Sequence, residues 1–262
     1  LTAVLAIGFA AGMVIAAVTA PVGVSGAVFL LPVQLSVLHV PNPAVTPTNL
    51  LFNVIATPGA LIRYWRQRQL SGPLTGRLIA GTLPGVVIGA VIRVYVASGA
   101  QLFRLLVAAV LLPLGIWLCV RTLHSRRSPP GRPPRPWTIT SLALLVGVVG
   151  GIYGIGGGSI LGPILVGRGM PVGTVAPAAL ASTFVTSIAG AGTYALLALT
   201  TPGSISPDWA LGIACGLGGL VGGYLGARLQ PRLPQTALRL LLGVLAIALA
   251  LAYVVQSVGY HS

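Results

Sequence analysis

Lysine is absent from this 262-residue chain, and Asp208 is its single acidic residue. Charged residues make up only 6% of it, where a soluble domain carries about a quarter. A water-facing surface cannot be covered with so few. Carboxylates are missing from every apolar stretch. That disfavours proton relays, which often use intramembrane acids, and sites for hard cations, which favour oxygen ligands that include carboxylates. Cys119 and Cys215 both sit in apolar runs, so neither a disulfide nor a metal set is expected. His39, His124 and His261 are isolated from one another. Nothing in the sequence points to a catalytic residue, a metal ligand or a cofactor, and the chain is not expected to be an enzyme.

What remains is apolar. Hydrophobic residues form 55% of the chain and the mean hydropathy is +0.97. A membrane helix needs roughly 20 apolar residues to cross a hydrocarbon core about 30 Å thick. The chain has room for about eight to ten such segments and no separate soluble domain. Its partners are then membrane lipids and a small solute. The net charge of +14 does not imply nucleic acid, because the arginines fall between apolar segments as topology signals and headgroup anchors.

The chain also repeats itself. A shift of 131 residues brings Gly23 onto Gly154, Gly26 onto Gly157, Pro32 onto Pro163 and Gly59 onto Gly190. A slightly longer shift brings Gly85 and Gly89 onto Gly219 and Gly223, and then Arg104 onto Arg239. This predicts an all-α membrane protein of two repeats, 1–120 and 138–262, with an Arg/Pro-rich linker over 121–137. Each repeat divides into five segments, near 2–20, 22–38, 43–62, 76–97 and 101–120, then 138–153, 155–168, 175–199, 208–228 and 236–256. The run Leu1–Ala20 lacks a basic start and has a counterpart in the second repeat, so it reads as a span.

Arginine placement predicts that the repeats are inverted. Arg121, Arg126, Arg127, Arg132 and Arg135 make the linker cytoplasmic. Arg63, Arg66, Arg68 and Arg77 follow the third segment of the first repeat, whereas the matching loop, Thr200–Pro207, carries no arginine. Both termini are then expected outside, with Arg93 and Arg104 on the side that breaks the pattern.

Inverted repeats are a common transporter architecture, with the substrate site at short, Gly/Pro-interrupted segments in matching positions. The second segments fit: Gly23-Val24-Ser25-Gly26 with Pro32, and Gly154-Ile155-Gly156-Gly157-Gly158-Ser159 with Pro163. A helix that starts at membrane depth offers oriented N–H groups and a positive dipole end, which suits an oxyanion. Candidate substrate-binding residues are Gly23, Ser25, Gly26 and Gln34 with Gly154, Gly156, Gly157, Gly158 and Ser159 on the broken segments. Thr48, Asn49 and Asn53 with Ser182, Thr183 and Thr186 stand on the third segments. Asn49 and Asn53 share a helix face, as do Ser182 and Thr186. Arg63 and Arg93 are the charges nearest an apolar segment and are candidates for a vestibule or for headgroup anchors. Leucine at Asn49 or Gly157 is expected to abolish transport and leave the fold intact. The paired Gly85-xxx-Gly89 and Gly219-xxx-Gly223 read as helix-packing faces, which also allow a homodimer.

The stretch Gly154-Ile155-Gly156-Gly157-Gly158-Ser159-Ile160-Leu161-Gly162-Pro163 resembles the motif that opens each repeat of the TauE/SafE sulfite exporters. Ser182–Gly190, Pro207-Asp208-Trp209 and Gly222–Leu229 resemble later elements of the same family. The first half departs from it, with Gly23-Val24-Ser25-Gly26 in place of a fuller glycine run and with Asn49 and Asn53. The resemblance implies movement of sulfite or a small organosulfonate such as sulfoacetate across the bacterial inner membrane. The missing carboxylates favour an uncoupled or weakly coupled mechanism. A non-transporting membrane scaffold and a membrane-embedded enzyme are the alternatives.

Overall fold

The computed structural model describes residues 2–38, 40, 44–70, 72–95, 100–124, 135–200 and 206–258. Most of the Arg/Pro-rich linker (125–134), the loop 201–205, and His39 and His261 lie outside them. The described residues form ten α-helices: α1 Thr2–Thr19, α2 Ala27–Ser36, α3 Val45–Arg66, α4 Pro73–Tyr95, α5 Ala100–His124, α6 Pro136–Tyr153, α7 Gly158–Gly167, α8 Val172–Thr200, α9 Trp209–Leu229 and α10 Gln235–Val258. Seven of the described helices are long and apolar enough to cross a membrane. At 10 residues each, α2 and α7 are not.

Helix ends follow backbone chemistry more than hydropathy. α3 runs on through Arg63 and Arg66, and α5 through Arg121 to His124, because nothing there breaks a helix. Pro136 opens α6 at a position whose N–H needs no helical partner. Asp208 caps α9, its carboxylate accepting from Leu211 N–H at 3.0 Å. Pro58, Pro84, Pro113 and Pro177 stand inside helices, as membrane helices tolerate.

The packing is interlaced. α1 lies chiefly against α9, and α6 against α4. α3 packs on α9 and α8 on α4, while α3 meets α8 and α5 meets α10. Exchanging the first five helices with the last five turns α1–α9 into α6–α4 and α3–α9 into α8–α4, and leaves α3–α8 and α5–α10 as they are. The two seams are glycine-lined: a Cβ at Gly12 would stand 2.1 Å from the Cys215 carbonyl oxygen, and one at Gly89 2.1 Å from that of Val148. Backbones that close leave no room for a methyl group, and dispersion between them is what holds membrane helices together. Gly85 and Gly89 thus pack on α6. Gly219 packs on Phe52 and Ala56, whereas Gly223 has its nearest neighbours at 3.5 Å.

The outer surface is what lipid requires. Ile7, Val14, Leu145 and Leu196 are exposed, and Trp65, Tyr95, Trp137 and Trp209 are exposed at helix ends, where aromatic rings meet headgroups. The interior holds the polar groups: Ser25, Gln34, Thr48, Asn49, Asn53, Thr82, Ser159, Ser182, Thr183 and Thr186 are all buried.

Candidate functional site

Both glycine-rich segments are helix breaks. After α1, one 3₁₀ turn (Ala20–Val22) leads to Gly23, whose φ of 76° only glycine adopts easily. After α6, Gly154 and Gly156 have φ of 69° and 72°. Each break also docks on the third helix of the other half. A Cβ at Gly23 would lie 2.3 Å from Ala176 Cα, and one at Gly154 2.3 Å from the Thr46 carbonyl oxygen.

The breaks meet at two serines. Ser25 N–H donates to Ser159 Oγ at 3.3 Å, and Ser159 Oγ donates to the Ile155 carbonyl at 3.0 Å. Ser25 Oγ accepts from Ala27 N–H at 3.2 Å and donates to Asn53 Oδ1. Asn49 Nδ2 donates to the Ala27 carbonyl at 3.1 Å. Two amides from one face of α3 therefore hold the start of α2. Behind the second break, Gly157 N–H donates to Thr186 Oγ1 at 3.3 Å, and the Thr82 and Ser182 hydroxyls pair at 2.7 Å. Thr183 packs over Gly156 and Gly158 with its hydroxyl unpaired.

The structure thus brings Ser25, Gly26, Asn49, Asn53, Gly157 and Ser159 to one junction, with Ser182, Thr183 and Thr186 behind it. Two candidates stand apart. Thr48 Oγ1 donates to the Ala44 carbonyl and accepts from Asp208 N–H at 2.9 Å, which ties the start of α9 to α3. Gln34 lies on α2 about 10 Å beyond Ala27 along the helix axis, with both polar side-chain atoms buried and unpaired. Arg63 is half-buried, and its Nε has no partner.

The sequence reading missed Thr19, Thr82 and a pair of tyrosines. Tyr64 O–H donates to the Ala20 carbonyl and Tyr194 O–H to that of Gly151, both at 2.9 Å. These tie the 3₁₀ turn after α1 and the last turn of α6, just before the glycines of the breaks, to α3 and α8. The repeat shift that matched the glycines also brings Tyr64 within one residue of Tyr194, so the signal was there. Tyr64→Phe and Tyr194→Phe should each lower stability by about 0.5–1.5 kcal/mol, a melting-temperature fall of roughly 1–6 °C. Unchanged melting of both would mean that the ties carry no load.

A model of the sulfite exporter TauE/SafE family matches residues 5–253. The chain belongs to that family. No curated protein and no solved structure matched it. Membership makes this a multi-pass membrane protein of a transporter family. Within the TauE/SafE match lie both breaks, the two asparagines of α3 and the hydroxyl cluster of α8.

Proposed function

We propose that the protein moves a small sulfur-containing anion, sulfite or an organosulfonate such as sulfoacetate, across the bacterial inner membrane, through a site at the Ser25–Ser159 junction. One observation carries the reading. The break that leads into α2 is hydrogen-bonded to the first turn of α7, Ser25 N–H to Ser159 Oγ, and each helix start carries about half a positive charge. The only acidic residue, Asp208, is committed to capping α9. Two positive ends brought together with no negative side chain are best balanced by a bound anion. Neutral hydroxyl and amide donors around them replace its water.

The two halves, 1–120 and 138–262, act as inverted repeats that open the shared junction to either side in turn. The interlaced pairing of α1 with α9 and of α6 with α4 supports this reading. With no carboxylate to carry a proton, transport is uncoupled or weakly coupled.

Thermal stabilisation in detergent tests the substrate class, since a ligand that binds the folded state raises the melting temperature by mass action. Sulfite or a sulfonate, sulfoacetate or taurine, should shift it, while acetate and chloride should shift it less. An equal response to acetate and sulfite would remove the sulfur assignment, and no response to any anion would argue against transport of anions.

A further inference from the structure

Under the first break lies a cavity of about 20 Å³, more than the roughly 10–15 Å³ that one buried water needs. It is bounded by the α1 end and break (Thr19, Ser25, Gly26), by α3 (Asn53, Thr57) and by Gly223 of α9, among others. Two polar side chains on its wall lack partners: Thr19 Oγ1 and Asn53 Nδ2. Both residues are buried, Asn53 completely and Thr19 at 2% exposure. Unpaired donors at this depth are a standing cost unless a ligand meets them.

The direction in which Asn53 presents its amide is set by its neighbour. Ser25 Oγ receives Ala27 N–H and gives its own proton to Asn53 Oδ1. That bond holds the carbonyl end of the amide and turns the NH₂ end into the cavity. The wall then offers an amide donor and hydroxyls, with no carboxylate and no cation.

Resting on the transport reading above, we propose that this cavity is the subsite for the anionic head of the substrate. Asn53 and Thr19 donate to it, and Ser25 is a positioning residue that fixes the amide. The ligand class follows from the wall: a compact trigonal oxyanion head whose oxygens only accept hydrogen bonds, such as sulfite or the sulfonate of a short alkanesulfonate. An isosteric head carrying N–H donors is held less well, because it is uncharged and offers Asn53 and Thr19 fewer acceptor oxygens. Gly223 sets the size limit, its absent side chain being part of the space.

The test is titration of the purified full chain in detergent with sulfite, methanesulfonate and methanesulfonamide, with melting temperatures in parallel. Asn53→Leu and Thr19→Val should each weaken sulfite and methanesulfonate binding about tenfold or more. Thr19→Val removes a hydroxyl that has no partner, so its melting temperature should hold or rise. Gly223→Ala keeps the fold, because its Cβ would sit at ordinary contact distances of 3.5–3.7 Å, and it should weaken sulfite roughly tenfold by filling space. Ser25→Ala should narrow the preference for methanesulfonate over methanesulfonamide, and Ser25→Thr, which keeps the hydroxyl, should restore it. A wild type that binds sulfite, with Thr19→Val and Gly223→Ala binding it equally well, would overturn the cavity assignment and leave the transport reading standing. A wild type that binds neither sulfite nor methanesulfonate would overturn both.

Discussion

Leucine at position 158 is expected to eliminate transport and to destabilise the protein together. A Cβ there would stand 1.9 Å from the Ala179 carbonyl oxygen and 2.6 Å from Thr183 Oγ1. Those atoms belong to α8, against which the first turn of α7 is pressed, and a helix backbone cannot step aside as a side chain can. Overpacking costs about 1–3 kcal/mol and sometimes more, so the melting temperature should fall by roughly 5 °C or more. Dye labelling of the buried Cys215 thiol on heating would report it. The same geometry revises the expectation for Gly157. Its Cβ would come 2.6 Å from Thr82 Cβ, so leucine there disturbs the fold as well as transport. Asn49→Leu likewise strips the Ala27 carbonyl of its amide partner. A normal melting curve for Gly158→Leu would show that α7 does not press on α8 as described.

Ser159→Ala should reduce transport at least about tenfold, because the Ser25 N–H is left buried without an acceptor, a loss of roughly 1–3 kcal/mol. The substitution removes one oxygen and adds nothing, so no clash confuses the result. Ser159→Thr keeps the hydroxyl and should retain most of the activity. If alanine and threonine behave alike, the hydroxyl does not join the two breaks in the working protein.

The breaks were legible in the sequence because only glycine serves at Gly23, Gly154 and Gly156, and because they recur at a fixed shift. Asn49 and Asn53 were legible as one polar face on an apolar helix. Their division of labour was not: one amide holds a backbone carbonyl and the other a serine, and that depends on where α2 lies. Thr48 shares their neighbourhood in sequence, yet its hydroxyl is taken up by α9, an element 160 residues away. Thr82 was invisible for the same reason, standing in a helix whose glycines advertise packing while its hydroxyl reaches Ser182 of the other half. Hydropathy misplaced the ends of α3 and α5 because a helical backbone does not stop where the membrane does.

The central claim is that a small sulfur oxyanion passes through the junction of the two breaks. Its most direct test is sulfite efflux from loaded liposomes carrying the purified protein, comparing wild type with Ser159→Ala. The account predicts saturable efflux by the wild type, well above that of protein-free liposomes and at least about tenfold reduced in the variant. Efflux no faster than from empty liposomes, or equal rates for the two proteins, would contradict it.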